Sequence, residues 1–170
     1  KIKKYIVRDS VVCDIGCGRK AVFLREISDF ISKGIGLDER VDNFKDPKIE
    51  LKQIKIEKNI PLNNESCGIV TMAAVLEHLS FPQEILNECF RCLKNGGKLI
   101  ITTPTPIAKP ILEFLAFKVK LIDEKEISDH KNYFWPKEVA AMLVKAGFNE
   151  NKVKSFFFEF HLNNFIMAEK

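Results

Sequence analysis

The sequence predicts a three-layer α/β domain, with helices on both faces of a mostly parallel sheet and an antiparallel last strand. Three observations carry that expectation. Short apolar runs alternate with helically periodic segments, a glycine turn directly follows the first apolar run, and two β-rich runs at the C-terminal end lie close enough to pair as a hairpin. Residues 1–170 read as a single domain, because a 46% hydrophobic composition suffices for one sizeable core and no repeat or low-complexity tract marks a second unit.

The first apolar run is Val11-Val12-Cys13-Asp14-Ile15-Gly16-Cys17-Gly18. It reads as a buried strand feeding a ligand-binding loop, since glycines at 16 and 18 let the backbone turn sharply and approach a ligand closely. Asp14, beside the loop, disfavours a phosphate and favours a ligand with a cationic or hydroxyl-bearing part. A helix over 21–30 follows, with Val22, Phe23, Ile27 and Phe30 at near-helical spacing. Ile35-Gly36-Leu37-Asp38 is a second buried strand ending in a carboxylate, about 20 residues after the loop, where an acid accepts hydrogen bonds from ribose hydroxyls in dinucleotide-type folds.

Ile49, Leu51, Ile54 and Ile56 suggest a third strand with a slipped period, and residues 68–73 a fourth after the turn-rich stretch 60–66. Ser80 is expected to cap the next helix, with Gln83 three residues on and Pro82 in the first turn. Ile85, Leu86, Cys89, Phe90 and Leu93 give that helix one apolar face, Asn95-Gly96-Gly97 stops it, and residues 98–103 form a fifth strand. The segment 104–131 differs in character, with three prolines and the apolar patch 111–117. It reads as an insertion that covers a pocket as a substrate lid, and the patch is too short to be a membrane anchor. A helix over 136–147 and strands over 153–160 and 162–168 complete the chain.

With these residues in view, the chain resembles the class I S-adenosylmethionine-dependent methyltransferases, in particular the small-molecule type similar to methyltransferase type 11. Asp14-Ile15-Gly16-Cys17-Gly18 looks like the family's first motif, and Asp38 follows at the family's spacing. Ile60-Pro61-Leu62 through Leu76-Glu77-His78-Leu79, the turn Leu93-Lys94-Asn95-Gly96-Gly97, and Tyr133 to Val139 with Ala146-Gly147-Phe148 are similar to later family segments in the same order. The resemblance implies a Rossmann-like methyltransferase fold whose seven-stranded sheet is mostly parallel with an antiparallel last strand. It also implies S-adenosylmethionine as cofactor. Gly16, Cys17 and Gly18 would pass under its methionine part, Asp14 would lie near the amino group, and Asp38 would hold the ribose. Glu39, Ile56 and Ala73 would border the nucleoside. Lys20 stands where many relatives have a third glycine, Lys55 where many have an aspartate, and Glu39 and Ala73 also depart from common family residues.

For an oxygen or nitrogen acceptor, His78 and His130 are the candidate catalytic residues, because only histidine titrates near neutrality without large perturbation. His161, between two strands, reads as structural. Charge narrows the partners: 27 basic and 23 acidic residues are spread along the chain for a net +4, with no block of like charge. No nucleic-acid partner is expected, and the implied partner is a small-molecule methyl acceptor. Five cysteines, no signal peptide and no apolar run near membrane-spanning length point to a reducing cytoplasm. Cys89 and Cys92 form one Cys-x-x-Cys with no second pair at zinc-finger spacing, so no metal site is expected. Two rival readings remain: a non-catalytic methyltransferase-like binding module, which the departures at Lys20, Lys55 and Glu39 keep open, and a nicotinamide-dependent oxidoreductase, which Gly16-x-Gly18-x-x-Ala21 loosely fits.

Overall fold

The computed structural model describes residues 2–121 and 124–170. One sheet organises them: β1 (Val11–Ile15), β2 (Lys33–Asp38), β3 (Phe44–Lys45), β4 (Ile49–Gln53), β5 (Cys67–Ala73), β6 (Leu93–Pro104), β7 (Val153–Phe158) and β8 (Asn163–Glu169), in the order β3-β4-β2-β1-β5-β6-β8-β7. Strands β4, β2, β1, β5 and β6 pair in parallel, while β8 runs antiparallel to both β6 and β7. The expected mostly parallel sheet and terminal hairpin are therefore present. The described sheet has one strand more than the expected seven, the two-residue edge strand β3. It folds back onto β4 because Asp46 Oδ1 accepts from the Lys48 and Ile49 N–H groups at 2.7 and 2.6 Å. A turn held by one side chain leaves no hydrophobic period to detect.

Alternation along the central strands sends Cys13, Val70 and Ile101 to one face and Val12, Ile69 and Ile100 to the other. The first face is covered by α2 (Pro82–Cys92) and α5 (Pro136–Ala146), which bury Ile85, Leu86, Val139 and Leu143. The second is covered by α1 (Val22–Ile27), through Leu24 and Ile27, and by the 3-10 turn at Ile2–Tyr5 with the buried Ile6 that follows it. The insertion 104–131 holds α3 (Ala108–Glu113), a π-helical turn at Phe114–Lys118, and α4 (Glu124–Ser128). Among the described residues no helix is long and apolar enough to cross a membrane.

Several boundaries differ from expectation for local reasons. Helix α1 is six residues long and starts after Ala21, whose φ of 45° lies outside the helical region. Strand β4 ends at Gln53, and the Ile54 N–H makes the last ladder bond, to the Asp38 carbonyl at 3.1 Å, before Ile56 lines the cleft. Ser80 does not cap α2: Phe81 holds the N-cap position with no side-chain cap, and Ser80 Oγ instead accepts from Lys131 Nζ at 2.7 Å. Pro82 in the first turn lacks an N–H, so one fewer donor needs satisfying there. Strand β6 begins at Leu93, paired with Cys67, before a break in register that loops out the Asn95-Gly96-Gly97 stretch.

The strand order decides where a ligand can sit. From β1 the chain winds outward through β2 and β4, and from β5 it winds the opposite way through β6. The crevice between the carboxyl ends of β1 and β5 is the switch point at which open α/β sheets bind ligands.

Candidate active site

Each side of the crevice is built by a strand end. After β1 the backbone enters Gly16 at φ 71° and Gly18 at φ 70°, the left-handed region that favours glycine. The Gly16 N–H donates to the Leu37 carbonyl at 2.7 Å, tying the loop to β2. A Cβ on Gly16 would overlap Val75 Cγ2, so glycine keeps the gap between the two strand ends open. Lys20 does not occupy a left-handed position. That conformation falls on Ala21, so the missing third glycine imposes no strain at Lys20. After β5, Ala74 takes φ 56° and donates its N–H to the Thr102 carbonyl at 2.9 Å, turning Ala73, Ala74 and Val75 along the cleft.

Two buried carboxylates flank the loop. Asp14 and Thr71 are partners in the β1–β5 register, and Thr71 Oγ1 donates to Asp14 Oδ1 at 2.6 Å. Burial pushes the Asp14 carboxyl up to about 7, with the nearby Asp38 charge adding to the rise and the Thr71 hydroxyl opposing it. Asp38 ends β2 and accepts four hydrogen bonds: from Gly18 N–H at 2.9 Å, Arg40 N–H at 2.8 Å, and the Arg40 guanidinium at 3.1 and 3.3 Å. Burial raises the Asp38 carboxyl, but the Arg40 and Gly18 donors outweigh it and hold it below the ordinary carboxylate value. The Arg40 side chain is 64% exposed and can give way to hydroxyls of a ligand.

The cleft has a volume of about 750 Å³. Of the residues expected to bind cofactor, Gly16, Asp38, Glu39, Ile56 and Ala73 line it. Asp14, Cys17 and Gly18 are not among its lining residues: Asp14 is buried, a Cβ on Gly18 would meet open space, and the Cys17 Sγ lies against Gly36. Lys55 stands on the rim paired with Glu57 at 3.0 Å. His78 lines the cleft, and His130 packs edge-on to it with ring centroids 4.7 Å apart. His161 lies far along the chain at the β7–β8 turn, against Phe157.

Beneath the two imidazoles lies a polar corner. Glu77 is 1% exposed and accepts from Thr103 Oγ1 at 3.1 Å. The His78 and His130 Nδ1 atoms face the Asp129 carbonyl at 3.3 Å and Tyr133 Oη at 3.0 Å. Thr71, Arg40 and Val75 are not legible from residue pattern, since a strand threonine, a loop arginine and a loop valine carry no motif. Glu77 stood in plain view beside His78, and its burial was the missing signal.

A family model described as a methyltransferase domain matches residues 2–152. The chain is 23% identical over 156 residues to the ubiquinone biosynthesis O-methyltransferase of Psychrobacter arcticus, covering 84% of this chain and 60% of that protein. It is 24% identical over 153 residues to the protein of the same name from Aliivibrio fischeri, covering 84% and 65%. The chain thus spans 60–65% of the length of these relatives. The crystal structure of an S-adenosylmethionine dependent methyltransferase from Mesorhizobium loti matches with a TM-score of 0.75 at 14% identity, covering 99% of this chain and 95% of that one.

Proposed function

The chain belongs to the methyltransferase domain family, and on that premise we propose that it transfers a methyl group from S-adenosylmethionine to an oxygen of a small-molecule acceptor. The observation that carries this reading is the pair of buried carboxylates, Asp14 and Asp38, on either side of a glycine loop at the switch point. S-adenosylmethionine is the cofactor that family and fold imply, and its parts match the chemistry of those groups. Asp14 answers a cationic amino group, Asp38 answers ribose hydroxyls once Arg40 moves aside, and the Gly16–Gly18 backbone passes under the methionine part. Glu39 and Ile56 border the base, and Ala73 the strand end beside it. When bound, the cofactor supplies a methyl group on a sulfonium centre.

The chain's own contribution is alignment and exclusion of water. The insertion 104–131 acts as a lid within the single domain: Asp129 and Lys131 at its end line the cleft, and the Lys131 and Asn132 N–H groups donate to the Glu77 carbonyl at 2.9 and 3.1 Å. Loss of the acceptor's proton falls to the corner of Glu77, His78 and His130. The names of the similar proteins support oxygen as the acceptor atom, and family membership argues against the nicotinamide reading.

The test is calorimetric titration with S-adenosylhomocysteine on wild type and Asp14→Ala, followed by mass spectrometry of a panel of small hydroxylated compounds incubated with enzyme and S-adenosylmethionine. Micromolar binding that is lost in the variant, with an O-methylated product, is expected. No binding by a folded wild type would overturn the reading and favour the binding module.

A further inference from the structure

We propose that Lys131 and Ser80, with Lys58 beside them, form a carboxylate-binding subsite on the cleft wall, so that the acceptor is an acidic small molecule. What happens to that acceptor rests on the methyl-transfer reading; the charge it carries does not. Lys131 Nζ donates to Ser80 Oγ at 2.7 Å, and both residues line the cleft. Lys58 Nζ stands 4.2 Å from the ring centroid of Phe81, the next residue along the same wall. Neither ammonium has a carboxylate within 4.0 Å among the described residues, whereas Lys55 is paired with Glu57 at 3.0 Å.

The two donors are held side by side. The Lys131 and Asn132 N–H groups donate to the Glu77 carbonyl, and Asn132 Nδ2 donates to the Leu79 carbonyl at 3.0 Å. These three bonds clamp the end of the insertion onto the backbone at 77–79, so that ammonium and hydroxyl meet across 51 residues of chain. An ammonium has three N–H donors, and Ser80 takes one of them. The Ser80 hydroxyl accepts that bond and keeps its own proton to donate. Adjacent ammonium and hydroxyl donors can each bond one oxygen of the same carboxylate, in charge-assisted hydrogen bonds.

Charge decides between a carboxylate and a phosphate. Lys58 and Lys131 bring two positive charges to this wall, and Asp129, which also lines the cleft, returns one negative charge. Glu39 lies toward Lys55, on the nucleoside side. The surplus of one positive charge matches a carboxylate and falls short of a phosphate dianion. Phe81, 38% exposed, supplies apolar surface for the hydrocarbon part of the acceptor. Ser80 follows His78 by two residues in the same wall, so an acceptor anchored there sits beside the corner that takes its proton.

Phenylacetate and its neutral analogue phenylacetamide, titrated onto the chain and followed by the amide chemical shifts of residues 79–81 and 131–132, test the subsite, with S-adenosylhomocysteine affinity measured in parallel. Saturable shifts with phenylacetate alone are expected, with binding about tenfold weaker in Lys131→Met, partly restored in Lys131→Arg and unchanged in Lys137→Met. Ser80→Ala, which removes only the hydroxyl donor, should weaken phenylacetate about 3- to 10-fold and keeps the test open if the lysine variant folds poorly. No saturable shift with phenylacetate, equal shifts with phenylacetamide, or full phenylacetate binding by Lys131→Met overturns the subsite. Among the small hydroxylated compounds, those with a carboxylate should be the ones methylated, and Lys131→Met should raise their KM about tenfold while kcat stays within about twofold. Preferred methylation of the compounds without a carboxylate overturns the acidic acceptor. Failure of S-adenosylhomocysteine to bind would sink the methyl-transfer reading and leave the phenylacetate result standing.

Discussion

Replacing Asp14 by Asn should remove a pH dependence of stability that the wild type carries near neutrality. Burial lifts this carboxyl from 3.8 to about 7, so between those values the folded chain holds a proton that the unfolded chain has released. Protons bound to the folded state stabilise it, and stability therefore falls as pH rises through this window and levels off above pH 7. At about 1.4 kcal/mol for each tenfold change in proton affinity, the full effect is about 4 kcal/mol. About 2 to 3 kcal/mol of it falls between pH 5 and 8. Asp38 has the opposite sign, since its donors hold it below the ordinary value: its contribution is present above that value and lost as pH falls through the lowered one. The two windows do not overlap. Urea unfolding of wild type and Asp14→Asn from pH 5 to 8 isolates the first, with the variant gaining relative stability as pH rises. A wild-type-to-variant difference that stays constant over that range would refute the reasoning. S-adenosylhomocysteine should also bind wild type more tightly at pH 8 than at pH 6, because its ammonium group favours the ionised carboxylate.

Asp38→Ala should weaken S-adenosylhomocysteine binding by about 1 to 3 kcal/mol, and an unchanged calorimetric affinity would remove this residue from the ribose site. Gly16→Ala places a methyl group on Val75 at a left-handed position and should cost about 1 to 3 kcal/mol in urea unfolding. Adding Val75→Ala should recover part of that loss, and no recovery would mean that backbone strain alone is responsible. Arg91 donates to the Leu62 carbonyl at 2.7 Å, the Ile60 carbonyl at 3.0 Å and Asn64 Oδ1 at 2.8 Å while paired with Glu88. Arg91→Ala should therefore cost about 2 to 3 kcal/mol, and a loss below about 0.5 kcal/mol would show that water replaces those bonds.

Much of this was legible in the residues because it depends on local pattern. The apolar run 11–15 with its glycine turn, the carboxylate at Asp38, the Pro136 start and Gly147 end of α5, and the hairpin of β7 and β8 each follow from periodicity, turn chemistry or spacing within a few residues. The elements that were misplaced are those where a distant contact decides. The Ser80 hydroxyl is engaged by Lys131 across 51 residues, and past Gln53 the chain leaves the strand so that Ile56 borders the cleft.

By itself the sequence determined the fold class, the glycine loop and the two acids on either side of it, since each is written in residue type and short-range order. Only the tertiary structure decided what those acids experience. Asp14 meets Thr71 through a register between strands 57 residues apart, and Arg40 folds back onto Asp38. His130 reaches His78 and Glu77 only because the insertion returns to the end of β5. Such meetings depend on where the whole sheet places its strand ends, and hydrophobic period along the chain carries no record of them.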